Sequence, residues 1–565
     1  MKHKIHNILT KISFEIYPEF SEEFKISKPN NPSHGDWTSN LALILAKKLK
    51  KNPIVIAEEI VNRFDSHENI SNIEVAGAGF INFFLKDEIF LELTKKFSLG
   101  NFENLVINEN PKKILLEYVS SNPTGPIHVG HGRSAAYGSA IANLYKLAGN
   151  KVIQEYYIND RGLQAKSLGL SVFLRMQKIY GKEIQLPEGC YEGDYINNLA
   201  ELAVKEFEEK FKLNDFSIAS NYSTIKEWLG FIEKNYGGFS NLTKFSIDIQ
   251  INQIKESLVE FRVEFDEWFK ESTLFKKELV NDALKSLRKN DVSKKEGASW
   301  FKSSNYGDEK DRVLIRDDNE PTYFASDIAY HKNKYERGFN KIVNVWGADH
   351  HGYIPRVKAS IESLGLDSSL FSVLLIQFVS LKENGKKVQM STRSGEFIEL
   401  SELIEKVGID STRYYFLARK PEQSVEFDID LAKKTDKDNH VYYIQYAHAR
   451  ICSLKKELSK RDIEIDFAAS TNKLTLLKED NEKDIISFIN SYPEVLNHCY
   501  RNNEVHPLCF YLRDLSSKFH SFYNSEKIIS EDEDLRDARI ILSTAIQKII
   551  QNGLDILKID CPESM

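Results

Sequence analysis

Cysteine is scarce in this chain of 565 residues: Cys190, Cys452, Cys499, Cys509 and Cys561 stand far apart, and no two form Cys-x-x-Cys. That argues against a disulfide framework and against structural zinc, and fits a reducing compartment. Long apolar runs are missing too. None approaches the ~18 residues that a membrane helix needs. The N-terminus, Met1-Lys2-His3-Lys4-Ile5, continues into an amphipathic segment without an apolar signal core. A cytoplasmic location and no membrane partner are therefore expected. Nor does one sign of charge dominate: 76 Lys and Arg against 83 Asp and Glu leave −7. No global basic character advertises nucleic acid, but a local patch can bind RNA beneath such a total.

What is present suffices for several cores. At 41% hydrophobic and 28% charged, a chain of this length reads as roughly two to four globular domains. Residues 1–108 read as a small α+β module, with helical periodicity over 3–15 and 41–64. A strand-like run comes next, over 73–85, punctuated by Gly77 and Gly79. From 109 to 400 strands alternate with helices, with strands expected at 114–119, 152–157, 342–346 and 372–380. That alternation predicts a Rossmann-type, doubly wound parallel sheet. Polar helical tracts at 164–180 and 195–260 read as an insertion on this sheet, spanning about 164–290. A connecting segment covers 401–436. Beyond 437 only helical runs are evident, so the C-terminal domain, 437–565, is expected to be all α.

The densest chemistry lies at 117–131. The apolar run at 114–119 enters a loop with Pro123, Gly125 and Pro126, and the loop delivers His128-Val129-Gly130-His131 to the start of a helix-like run. A helix N-terminus offers unpaired N–H groups and the positive end of a dipole. Imidazoles there can donate to a phosphate, and a glycine lets a flat base lie on the backbone. The layout suits a nucleoside triphosphate held without a P-loop lysine. Taken alone, His-x-x-His is more often packed or solvent-exposed; its place after a strand favours the ligand crevice of an open α/β sheet.

Three further clusters carry chemistry. The segment 385–395 sets a basic, hydroxyl-rich loop between two glycines, which suits either a lid over phosphates or an ordinary exposed hairpin. Tyr323 and Asp327 are four apart and would share a helix face, although Asp327 would also suit a helix's first turn on dipole grounds alone. Trp346-Gly347-Ala348-Asp349-His350-His351-Gly352 gathers polar groups after a strand. Zinc is the alternative there, but no cysteine is near, so nucleotide ranks above metal.

These stretches resemble the class I aminoacyl-tRNA synthetases. His128-Val129-Gly130-His131 is similar to their first signature, and Gln389-Met390-Ser391-Thr392-Arg393 to a degraded form of their second. Within the class, segments 117–132, 155–162, 346–352 and 441–450 resemble bacterial arginyl-tRNA synthetases. Segments 34–40 and 79–83 resemble that family's extra N-terminal domain, which touches the tRNA elbow, and 561–565 resembles its usual C-terminus.

The resemblance implies an arginine–tRNA ligase. Arginine attacks the α-phosphate of ATP, with Mg²⁺ as counterion, and the arginyl group then passes to the 3′ end of arginine tRNA. It implies that His128, His131 and Arg393 are catalytic. ATP is held by Pro126, Gly130, Gly347, Asp349, His350, Gln389, Met390, Ser391 and Thr392. L-Arginine is held by Glu117, Asn122, Tyr323 and Asp327, of which Asp327 pairs with the guanidinium and Tyr323 flanks it. The C-terminal helices would read the anticodon, with Tyr442, Tyr443 and Tyr446 stacking on bases. No resident metal is implied, and a monomer is expected. Three positions depart from the class: Gln389 and Thr392 stand where lysines are usual, and Gly125 where some arginyl enzymes carry one. Arg393 is the chief candidate to replace the lost charge, with Lys386 and Lys387 beside it. Two other readings stand against this one: a synthetase-like RNA-binding protein without catalysis, and a nucleotidyltransferase of the same fold that needs no tRNA.

Overall fold

The computed structural model describes residues 1–29, 31–64, 67–213, 222–388 and 398–565. The chain divides into two units. One holds Met1–Asn101, Glu464–Asn490 and Ser525–Ile546; the other holds Phe102–Ile463, Ser491–Asn524 and Gln547–Met565.

In the first unit, four strands form an antiparallel sheet in the order Ile26–Ser27, Trp37–Ser39, Phe80–Leu85, Ile70–Ala76. The run read as one strand over 73–85 is thus a hairpin, turned by Gly77 and Gly79 at φ 55° and 113°. The tract read as one helix over 41–64 is two, Leu41–Leu49 and Pro53–Arg63. Lys50 is left-handed at φ 52° and ends the first. Asn52 then caps the second, accepting from the Ile54 N–H at 2.9 Å, with Pro53 opening the helix. Ile5, Leu9, Leu45, Ile56, Ile81 and Phe83 fill the core between helices and sheet.

The second unit is built on five parallel strands: β1 (Lys113–Glu117), β2 (Lys151–Ile158), β3 (Glu267–Lys270), β4 (Lys341–Gly347) and β5 (Phe371–Ile376). Their spatial order is β5-β4-β1-β2-β3. The order reverses between β1 and β4, and ligands of such sheets bind beyond the strand ends at this switch point. Three helices carry the side chains of interest: α1 (Val129–Leu147), α2 (Gly162–Ile179) and α3 (Tyr323–Glu336). Small residues let α1 lie tight on the sheet. A Cβ on Gly138 would stand 2.3 Å from the Tyr118 ring, so only glycine fits there.

Two strand readings are corrected. The run 372–380 is broken: β5 ends at Ile376, and Val379–Glu383 pairs instead with Val425–Asp428 in a separate small sheet. β3, read as part of the insertion, belongs to the main sheet and pairs with β2. The tract 195–260 is not continuous; its described helices are Asp194–Phe207, Ile225–Asn235 and Phe239–Glu260. Beyond 437 the described residues form helices, among them His440–Lys460, His506–Ser525 and Glu533–Leu557, and no strand.

Candidate active site

β1 ends at Glu117, and the chain then turns through two consecutive non-glycine residues with positive φ, Val119 at 66° and Ser120 at 42°. A β-branched residue in that region is strained, and such strain gathers at functional sites. Local bonds hold it. Ser120 Oγ accepts from the Tyr157 N–H at 3.0 Å and donates to Glu117 Oε1 at 3.1 Å. The Val119 N–H donates to Ser134 Oγ at 3.3 Å.

The turn leads to α1, whose N-cap is His128. Its Nδ1 accepts from the N–H groups of Gly130 at 3.1 Å and His131 at 3.4 Å. With Nδ1 an acceptor, the neutral ring carries its proton on Nε2, a donor. Gly130 makes this cap possible, because a Cβ there would lie 3.0 Å from His128 Cε1. The His131 ring stacks on His128 with centroids 3.5 Å apart, and His131 Nδ1 is buried without a partner. Burial holds both imidazoles below their ordinary pKa, His131 at about 3, where the neighbouring His128 adds to the effect. Both rings are therefore neutral at physiological pH. They offer hydrogen bonds rather than charge.

A cavity of about 530 Å³ opens beyond the ends of β1, β4 and β5. Glu117, Asn122, His128, Gly130 and His131 line it from the β1–α1 side. Asp327 lines it from α3, and Gly347, Asp349 and His350 from the segment after β4. Nine of the residues singled out in the sequence thus share one wall. Pro126 and Tyr323 do not line it. Tyr323 is half exposed, and its hydroxyl lies against Gly162, so the shared helix face with Asp327 does not bring both into the cavity. Gln389, Met390, Ser391, Thr392 and Arg393 lie outside the described residues.

Several lining residues had no signal in the sequence. Asn344 sits on β4 opposite Glu117, and Phe378 presents a ring at the cavity edge that is 62% exposed. Tyr353 donates its hydroxyl to Asp327 Oδ2. Lys334, fully buried on α3 beside the cavity, pairs with Glu117 Oε2. Burial raises the Asp327 carboxyl to about 7, with Glu271 and Glu117 adding to the rise and the Tyr353 hydroxyl and Lys334 opposing it. The described lining holds three carboxylates, Glu117, Asp327 and Asp349, and neither lysine nor arginine.

One buried arginine braces this edge. Arg133 on α1 donates to the backbone carbonyls of Gln377 at 2.7 Å, Gln423 at 2.8 Å and Lys420 at 2.8 Å. It ties the His128 helix to the residue just after β5.

The tyrosines of the C-terminal part lie on the helix His440–Lys460. Tyr442 stacks with Tyr446 at 6.2 Å, Tyr446 stacks with His520 at 5.5 Å, and the Arg450 guanidinium lies 5.2 Å from the Tyr446 ring centre. Tyr443 packs on His520 at 4.5 Å. Tyr446 is exposed, while Tyr442 and Tyr443 are half-buried.

Three family models match the chain: "Arginyl tRNA synthetase N terminal domain" over residues 1–85, "tRNA synthetases class I (R), catalytic domain" over 98–428, and "DALR anticodon binding domain" over 444–565. A curated arginine–tRNA ligase of Legionella pneumophila (strain Corby) is 42% identical, with 96% of this chain and 95% of that protein covered. One from Coxiella burnetii (strain RSA 331 / Henzerling II) is 39% identical over 100% of both. Among solved structures, a putative arginyl-tRNA synthetase from Campylobacter jejuni is 33% identical, with a TM-score of 0.74, covering 85% of this chain and 100% of that one. The Thermus thermophilus arginyl-tRNA synthetase, 21% identical, shares the fold over 100% of each chain at a TM-score of 0.76. With its catalytic-domain model matching more than half of the residues and relatives at about 40% identity along its whole length, this chain belongs to the class I arginyl-tRNA synthetases.

Proposed function

We propose that the chain activates L-arginine with ATP and transfers it to arginine tRNA, using the cavity at the β1–β4 switch point. The observation that carries this reading is the common lining of one cavity by the His128–His131 helix start, the Asp349–His350 segment and the buried carboxylate Asp327. In it, His128 and His131 donate neutral hydrogen bonds to the triphosphate, and Gly130 and Gly347 leave room for the adenosine. Asp327 pairs with the guanidinium, and Asn122 lies beside the reacting carboxylate. Positioning and electrostatic stabilisation at phosphorus then supply most of the rate.

The wall electrostatics bear on the metal. Mg²⁺ keeps several waters and binds through one or two carboxylates plus the substrate's phosphates. Asp349, exposed and 3.6 Å from His350, fits that role, and Glu117, already held by Lys334, does not. When bound with ATP, Mg²⁺ neutralises phosphate charge that the described lining does not. Arg393 adds to this in our reading, with Lys386 and Lys387 nearby in sequence. Tyr442, Tyr443 and Tyr446 form an aromatic surface, flanked by Arg450, on which anticodon bases stack. The enzyme acts as a cytoplasmic monomer. Among the described residues no helix is long and apolar enough to cross a membrane.

The test is ATP–pyrophosphate exchange with arginine, run with and without arginine tRNA and with lysine in place of arginine. Arginine-specific exchange supports the reading. A folded protein that binds the tRNA yet gives no exchange under either condition refutes it and favours an RNA-binding protein without catalysis.

A further inference from the structure

Two carboxylates on the cavity wall are treated in opposite ways. Both oxygens of Glu117 are occupied: Oε2 pairs with Lys334, and Oε1 accepts from Ser120 at 3.1 Å. Lys334 spends its ammonium on that carboxylate, on Asn344 Oδ1 at 2.9 Å, and on the face of Tyr330, 4.3 Å from its ring centre. Lys334 is completely buried and Glu117 nearly so. Asp327 differs. Its Oδ2 accepts from Tyr353, and its Oδ1 has no donor among the described residues.

We infer that Lys334 and Tyr353 are positioning residues that sort these carboxylates: Lys334 withdraws Glu117 from substrate recognition, and Tyr353 turns Asp327 toward the substrate's guanidinium. The inference rests on the arginine-activating reading above and deepens it. The chemistry of selection requires such sorting. A guanidinium is a planar fork that rewards oriented acceptors, whereas an ammonium is a point charge satisfied by any carboxylate. Two unpaired carboxylates in one cavity would hold lysine, or a divalent cation, about as well as arginine. Neutralising one and fixing the other by a hydroxyl leaves a single oriented acceptor. An amino acid that cannot fill it leaves a buried polar group unpaired, and this is how sites reject close analogues. The position of the pair adds a second task. Glu117 ends β1, Asn344 is its partner in the β4 register, and Ser120 belongs to the strained turn. The Lys334–Glu117 pair therefore also anchors the turn that carries Asn122.

The experiment uses the full-length protein in tRNA-supported exchange, with KM for arginine and for ATP measured separately. Lys334→Met leaves Glu117 unpaired, and KM for arginine rises by at least about tenfold while KM for ATP moves little. Adding Glu117→Gln to that variant removes the stranded charge and returns KM for arginine to within about threefold of wild type, with preference over lysine retained. Tyr353→Phe raises KM for arginine by about tenfold, the loss of one hydrogen bond to a charged group, and narrows the margin over lysine. If Lys334→Met does not fold, the double variant carries the test alone, with cooperative thermal unfolding as its check. A folded double variant that has lost arginine-dependent exchange means that Glu117 itself reads the substrate, and the inference falls. Tyr353→Phe with unchanged selectivity sinks it equally. A wild-type enzyme without arginine-dependent exchange overturns the underlying reading instead.

Discussion

The buried carboxylate of Asp327 makes arginine binding a proton-linked event. In the empty cavity its pKa stands at about 7, chiefly through burial, with the carboxylates of Glu271 and Glu117 raising it further. A guanidinium beside it favours the ionised form and draws the pKa down. Arginine therefore binds the ionised enzyme, and binding below about pH 7 expels a proton. The ionised fraction falls from about nine-tenths at pH 8 to about one-tenth at pH 6, so Kd for arginine rises about tenfold, or ~1.4 kcal/mol. Stability moves the opposite way. The folded pKa lies above the unfolded value, so the empty enzyme holds this proton more tightly than the unfolded chain between about pH 4 and 7. It loses that stability as pH rises through the window, and Asp327→Asn raises the melting temperature of the empty enzyme at pH 8. The assay is calorimetric titration of arginine at pH 6 and pH 8, in buffers of different ionisation enthalpy. Proton release of ~0.9 per site at pH 6 and ~0.1 at pH 8 is expected. A Kd that does not change between these pH values refutes the reasoning, as does a pH dependence that survives in Asp327→Asn.

Arg133→Met leaves three buried carbonyls without donors and costs at least about 3 kcal/mol, read as a lowered urea midpoint. His128→Asn keeps an oxygen for the N-cap but loses the Nε2 donor, so it holds stability while exchange slows; His128→Ala loses both and costs a further ~1 kcal/mol in unfolding measurements. Arg393→Ala slows adenylate formation without shifting the melting temperature; an unchanged rate in single-turnover measurement returns the phosphate charge to Mg²⁺ alone. Tyr446→Ala weakens arginine tRNA binding by about tenfold, within the ~1–3 kcal/mol of a stacked base. The slope of log Kd against log salt is unchanged by it, because stacking releases no counterions.

The parts of this enzyme that the sequence disclosed are those where local chemistry and global fold demand the same residues. The β1 run Ile114-Leu115-Leu116 is apolar because the strand is buried on both faces. Pro123 and Pro126 mark the turn, and the small residues of α1 let the helix lie on the sheet; each announces itself within a few positions. β3 did not, since Glu-Trp-Phe-Lys is four residues with no period to detect, and it becomes a strand only by pairing with β2. The left-handed turn at Val119 and Ser120 carried no glycine to signal it; tertiary bonds to Tyr157 and Ser134 impose it. The same limit governed the site. His128 and His131 are neighbours in sequence and were found. Lys334 lies 217 residues from the carboxylate it holds, and Tyr353 lies 26 from Asp327. Their roles exist only where α3 crosses the ends of β1 and β4. Glu117 carries the consequence: resemblance assigned it to the substrate, while the folded chain gives it a lysine. A motif names residues that share a place, and the partners drawn in by folding decide which of them remain available to the ligand.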